Sequence, residues 1–475
     1  MESISAFEII KVGIGPSSSH TMGPWIAAKQ FLEYLQAIDK LQNVTEITTY
    51  LYGSLAKTGH GHGTDIAIMM GLSNEDYTTI DTDKIQEKVA LIKSWDTIYS
   101  LNQHKLHFNY EKNIIFDYQT SLEQHPNGMR FVAKLDGYPD IAKAYFSVGG
   151  GFVVGEDENS QAQVHLKKII TPYPCHSAQE IINYCKQLDV SISDLVFINE
   201  SSWRSKEEIR NHALYIWDEI KNCIFRGVNK SGTLPGGLNV KRRANEINNK
   251  ILGDMRLEDV DDWILKIKSG PQDFVTVNNW VSVFALAVNE ENASFGRIIT
   301  APTNGASGVI PAVLMYAYCF LPNFNEDEIV RFIITAGEIG TLYKKGATIS
   351  AAMGGCQAEI GVSSSMAAGG LAEALKGTID QVLQAAEIAM EHHLGMTCDP
   401  IGGLVQIPCI ERNCMGAIKA ITATNLALGS DESTARISLD DVINSMLETA
   451  KDMNHKYKET SEGGLANISV GIAEC

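Results

Sequence analysis

Hydrophobic positions recur with two different periods along the chain, and the change of period divides it. In the first part they alternate, at Leu106, Phe108 and Tyr110, at Ile114, Phe116 and Tyr118, and at Met129, Phe131, Ala133 and Leu135. With the β-branched and aromatic run Thr45 to Gly53, these predict neighbouring strands of a largely antiparallel sheet. Helices accompany them: Ala28, Phe31 and Leu35 share one helical face, and Pro24 suits that helix's first turn. The alternation fades after Gly149 to Gly151 and the polar run GEDENSQAQ. Beyond it the period becomes helical, at Ile329, Phe332, Ile333 and Ala336, at Leu383, Ala386 and Met390, and at Ile443, Met446, Leu447 and Ala450, with Ser438 placed to cap the last. The Ala, Gly and Ser run VSSSMAAGGLAEAL predicts a helix packed inside a bundle rather than on its surface. The expected fold class is therefore α+β: an N-terminal α/β sheet domain over 1–154, a linker over 155–178, and an all-α domain over 179–475.

Charge and composition narrow the function classes. A formal charge of -18 on 475 residues argues against a nucleic-acid partner, which needs a basic surface. The start MESISAFEIIKVG has neither the charged and apolar regions of a signal peptide nor the arginine-rich look of a transit peptide. The longest apolar stretch, near Gly308 to Leu321, is too short to span a bilayer. A soluble cytoplasmic protein without membrane partners is expected. The nine cysteines are odd in number and unevenly spaced, which fits thiols or metal ligands better than a disulfide framework.

Candidate chemistry gathers in loops. Cys356, Cys398 and Cys409 sit beside Gly or Pro, where a turn can aim a sulfur inward. No CxxC occurs, so zinc ribbons, ferredoxin runs and thioredoxin-type dithiols are set aside. Three ligands joined only by the fold would leave one corner of a 4Fe-4S cluster open as a Lewis acid, although buried cytosolic cysteines also serve as small hydrophobes. GIGPSSSHTMGP can receive an anion at a helix start or simply cap it. GSLAKTGHGHGTD carries His60, His62 and Asp65, and HPNGM places His125 in a turn signature. In the helical half, SGTLPGGLNVKRRA carries Lys241, Arg242 and Arg243, a functional patch or a solvated surface run. APTNGASGVIPAV sets Asn304 and Gly305 where a helix start could receive a carboxylate.

Taken in order, GPSSSHTMGP, GSLAKTGHGHGTD, HPNGM, LPGGLNVKRRA, APTNGASGVIPAV, MGGCQAEIGV, MTCDPIGGLVQIPC and the terminal GGLA segment resemble the single-chain, iron-sulfur-dependent bacterial L-serine dehydratase family. The resemblance implies a lyase converting L-serine to pyruvate and ammonia. It also implies a sheet domain like a regulatory domain of some phosphoglycerate dehydrogenases, and a helical catalytic domain. By the same resemblance Cys356, Cys398 and Cys409 would ligate a 4Fe-4S cluster, His62 or His125 would be the general base, and His20 and Asn127 would orient substrate. Cys475, the last residue of the sequence, reads from its position either as a cap on the open iron or as an unused exposed thiol. A homodimer is the default expectation. Three other readings stand beside it: a pyridoxal-phosphate enzyme using the Gly149 to Gly151 loop, a non-catalytic cluster sensor, and a mononuclear metal enzyme using His60, His62 and Asp65.

Overall fold

The computed structural model describes residues 3–156, 169–253, 259–431, 435–459 and 462–468. The N-terminal sheet has the strand order β3-β4-β2-β6-β7-β8, with β5 also pairing β2. Its strands are β2 (Val44–Tyr52), β3 (Thr97–Tyr99), β4 (Lys105–His107), β5 (Ile114–Asp117), β6 (Gly128–Leu135), β7 (Tyr138–Ser147) and β8 (Val153–Gly155). β6 is antiparallel to both β2 and β7, but β4 and β5 run parallel to β2. The sheet is thus more mixed than alternation alone suggested. A helical turn, Tyr110–Asn113, interrupts the chain between β4 and β5, so these two lie along β2 instead of forming a hairpin. Helices Gly23–Ala37, Thr64–Leu72 and Ile85–Trp95 supply apolar side chains to the sheet's core. There Phe31 stacks on Phe131 at 5.3 Å and meets Tyr145 edge-on at 6.5 Å.

The second half is built around one helix. All fifteen residues of Ile360–Ala374 are buried. Small residues let its neighbours approach the backbone: a Cβ on Gly370 would lie 2.8 Å from the Phe332 carbonyl oxygen, and one on Gly369 would overlap Ile339. Its serines are satisfied locally, Ser364 donating to the Gly416 carbonyl at 2.8 Å and Ser365 to the Ala386 carbonyl at 2.7 Å. Helices Glu326–Gly346, Ile379–Glu391 and Cys409–Leu428 surround it. Ser438 does cap Leu439–Asp452, in a capping box with Asp441.

This half is not wholly helical. β9 (Arg297–Thr300) pairs antiparallel with β1 (Lys11–Ile14), because Ile298 and Ile299 form a β-branched run that needs a partner strand. The start of the chain is therefore anchored in the helical body. Phe7, Ile9 and Ile10 join its core, and buried Glu200 accepts hydrogen bonds from the Ser5 hydroxyl (2.9 Å) and the Ala6 N–H (2.8 Å). The chain then crosses to the sheet through the GPSSSHTMGP loop. That crossing brings the loop's histidine against both halves.

Candidate active site

The three cysteines sit in a 3-10 turn, in an isolated bridge and at a helix start. Cys356 lies in the 3-10 turn Gly355–Ala358, entered through Gly355 at φ 71°, a left-handed conformation that disfavours a side chain. Cys398 is fixed by backbone bonds to the C-terminal segment, its N–H donating to the Tyr457 carbonyl (2.8 Å) and its carbonyl accepting from the Glu459 N–H (2.9 Å). Cys409 opens the helix Cys409–Leu428 directly after Pro408. All three are buried and free. The sulfurs of Cys356 and Cys398 and a carboxylate oxygen of Glu359 lie within 4.8 Å of one another. Cys409 is outside that group, yet close enough for Cys356 and Arg412 to bear on it. The Cys398 thiol is pushed well up by its hydrogen bond with Cys356 and by burial, and the Cys409 thiol by burial and then by Cys356.

Arg412 balances this set. Burial opposes its charge, but the neighbouring Cys356, Cys409 and Cys398 thiols raise its pKa and hold it protonated. It is aimed by the Thr397 carbonyl at 2.6 Å and by Asp399 at 3.3 Å. Two thiols and a carboxylate within 4.8 Å of one another, with the Cys409 thiol and a fixed guanidinium near them, form a donor set suited to a metal or a metal–sulfur cluster.

Three histidines from the N-terminal half lie near one another. The His20 ring lies 4.7 Å from that of His62, between Ser19 (2.8 Å to Nδ1) and Ser54 (3.0 Å to Nε2), and its Nδ1 is 3.8 Å from Glu459. His62 turns Nδ1 to the Thr58 carbonyl at 3.0 Å. A carbonyl only accepts, so Nδ1 carries the proton and Nε2 holds the lone pair. His125 is the reverse. Its Nδ1 accepts from the Asn127 N–H at 3.1 Å, leaving Nε2 as the N–H. Burial pushes both pKa values down to about 4, so both rings are neutral near pH 7. His20 is also held well below the usual range, by burial and then by His62.

A cavity of about 820 Å³ opens beside this set, lined from both halves by Ser54, Lys57, Tyr118, His125, Met353 and Lys458 among others. Beyond it, buried Asn127 bonds the Ser147 carbonyl through Nδ2 (3.2 Å), while its Oδ1 has no partner among the described residues.

Residues 5–158 match the family description "Serine dehydratase beta chain", and residues 187–466 match "Serine dehydratase alpha chain". The chain is 46% identical to the L-serine dehydratase of Streptomyces coelicolor over 99% of its own length and 100% of the relative's. The chain belongs to the serine dehydratase family. L-serine dehydratase 1 of Escherichia coli is 45% identical over 98% of both chains, and that of Helicobacter pylori 44% over 98% of this chain and 99% of its own.

Within this serine dehydratase family chain, the fold brings together Cys356, Cys398, Cys409, His20, His62 and His125, with Asn127 beside them. Cys475 lies outside the described residues. The mononuclear alternative is not assembled: His60 stacks on Phe116 at 3.8 Å, and Asp65 accepts from the Tyr110 hydroxyl at 2.8 Å. Asn304 is spent on structure, accepting from Thr300 and donating to the Ile14 carbonyl, both at 2.6 Å. The basic triplet is solvated only in part: Lys241 is exposed, but the two arginines are paired. Arg242 is 7% exposed and bonds buried Glu291 at 3.0 Å, and Arg243 pairs with Glu411 at 2.7 Å.

Sequence reading missed Glu359, Arg412 and Glu459. The first two were within reach, because each follows a candidate cysteine by three residues, a spacing that returns to the same side of a helical turn. Glu459 carries no such signal. It is identified by the fold alone.

Proposed function

We propose that the chain is an L-serine dehydratase, eliminating water from L-serine to give pyruvate and ammonia. The relatives' names support the substrate. The observation that carries the chemistry is the opposite tautomers of His62 and His125. A 4Fe-4S cluster held by Cys356, Cys398 and Cys409 would supply a Lewis-acidic iron for the substrate's carboxylate and β-hydroxyl.

The chain's own residues supply the remainder. His62 Nε2 is an unprotonated acceptor fixed by the Thr58 carbonyl, and it takes the α-proton. His125 presents Nε2–H at the cavity and serves as a donor to a substrate oxygen. Its ring nitrogens are therefore assigned the wrong way round for the base. Arg412 offsets the charge of the thiolates, and Asn127 orients substrate. The β C–O bond breaks as His62 takes the α-proton, the hydroxide and that proton leave as water, and the resulting 2-aminoacrylate tautomerises to an imine that water hydrolyses to pyruvate and ammonia.

Pyruvate release by the anaerobically reconstituted enzyme tests the assignment. His62→Ala should lower kcat by ~10²-fold or more with iron content unchanged, whereas His125→Ala should act chiefly on KM. A larger kcat loss in His125→Ala would reverse the two roles.

A further inference from the structure

We propose that Glu459 binds the substrate's α-ammonium group, and so makes the site select amino acids over their deamino counterparts. This rests on the serine reading above.

Glu459 is held in an unusual state. Its φ is 56°, in the left-handed region that non-glycine residues rarely occupy, and its backbone N–H is tied to the Cys398 carbonyl at 2.9 Å. The residue is 8% exposed. Oε1 lies 3.8 Å from His20 Nδ1, and Oε2 is buried without a hydrogen-bond partner among the described residues. No Lys or Arg pairs with it among those residues. Several other buried carboxylates face cations: Glu291 faces Arg226, Lys230 and Arg242, Glu373 faces Arg331, and Glu200 faces Arg204 as well as Ser5 and Ala6. A buried carboxylate left one cation short is a built place for a cationic ligand.

Its position says which cation. Glu459 joins the two sides of the site, reaching the cysteine side through its backbone and His20, one ring away from His62, through its side chain. The α-carbon of serine bears four groups. The hydrogen faces His62, and the carboxylate and the hydroxymethyl arm face the cysteines, which leaves the ammonium. Glu359 is grouped with the sulfurs of Cys356 and Cys398, so Glu459 is the carboxylate left between the two sides. Ser54, bonded to both His20 and the Glu459 carbonyl (3.0 and 3.4 Å), ties the carboxylate's segment to the histidines.

The test compares two ligands that differ only in the amino group, L-serine and 3-hydroxypropanoate, on the full-length protein reconstituted with iron and sulfide. Glu459→Gln should raise both the KM and the calorimetric Kd of L-serine by ~30-fold or more, the scale for removing one partner of a buried charge pair. The competitive Ki of 3-hydroxypropanoate and the iron content should stay as in wild type. Equal weakening of both ligands, or unchanged serine affinity, overturns the proposal. Should the Gln variant fail to fold, Glu459→Asp is read with the same two ligands and must still weaken serine selectively. A wild-type protein that neither binds nor consumes L-serine would sink the serine reading itself. Wild-type turnover beside an unaffected variant would remove Glu459 alone.

Discussion

Glu291 offers a direct test of how the helical body is held. Its side chain is 1% exposed and faces three cations: Arg242 at 3.0 Å on Oε1, with Lys230 at 3.0 Å and Arg226 at 3.8 Å on Oε2. Lys230 and Arg226 are about a third exposed and can turn to water, but Arg242 is 7% exposed and cannot. Glu291→Gln keeps the volume and one acceptor oxygen but removes the charge, leaving Arg242 a buried cation held only by neutral acceptors, the amide and the Ser294 hydroxyl at 2.8 Å. Breaking a buried pair from one side costs about 3–5 kcal/mol, and the surviving Ser294 bond places the expectation near 3. For a large domain that is a fall in Tm of roughly 6 °C. The effect should reach the site, because the loop holding Arg242 also braces the cysteine loop through Gln406, whose Nε2 donates to the Pro235 carbonyl at 2.6 Å. Thermal unfolding by circular dichroism at one scan rate measures the fall, and iron loss to a chelator measures its reach. The double variant Glu291→Met with Arg242→Met removes both charges and should regain much of the stability. A single variant that melts with wild type, or a double variant that simply adds the two losses, would refute the reasoning.

Other consequences can be checked in parallel. A Cβ on Gly63, which has φ 60° and follows His62, would overlap the Phe295 ring. Gly63→Ala should therefore displace His62 and lower both kcat and stability, the latter by about 1–3 kcal/mol. Arg412→Met removes the cation facing the thiols and should weaken iron retention by ~10- to 100-fold, read by competition with a chelator. Glu387 is 5% exposed, and burial followed by repulsion from Glu391 raises its pKa to about 8. The folded protein keeps a proton there that the unfolded chain loses above the ordinary carboxylate range, so stability falls as pH rises from about 4.5 to 8. Glu387→Gln should flatten that slope and be more stable than wild type at pH 8 in denaturant titrations. An unchanged slope would mean the proton sits elsewhere.

Two of the cysteines were legible as turn residues because Gly355 and Pro408 mark those turns locally, and their proposed roles come from the family resemblance. The histidines were legible as loop residues, but not their protonation. That is decided by the Thr58 carbonyl and the Asn127 N–H, partners that only a folded backbone supplies. Alternation at 106–110 and 114–118 met the strands Lys105–His107 and Ile114–Asp117, but it ran on into the helical turn at Tyr110 and did not show that both strands would run parallel to β2. The KRR triplet reads as surface until Glu291, 49 residues beyond Arg242, is folded against it. Helices such as Glu326–Gly346 and Leu439–Asp452 were legible because their apolar spacing and caps are local. Residues 3–10 gave no sign that they pack with the helical half, since contact with Glu200 spans nearly 200 positions.

The most direct measurement is anaerobic purification with iron and acid-labile sulfide counted, followed by pyruvate release from L-serine before and after air. The account predicts about four irons and four sulfides per chain, with turnover that air abolishes. Serine turnover without iron would contradict it, as would a fully loaded protein that leaves L-serine unchanged.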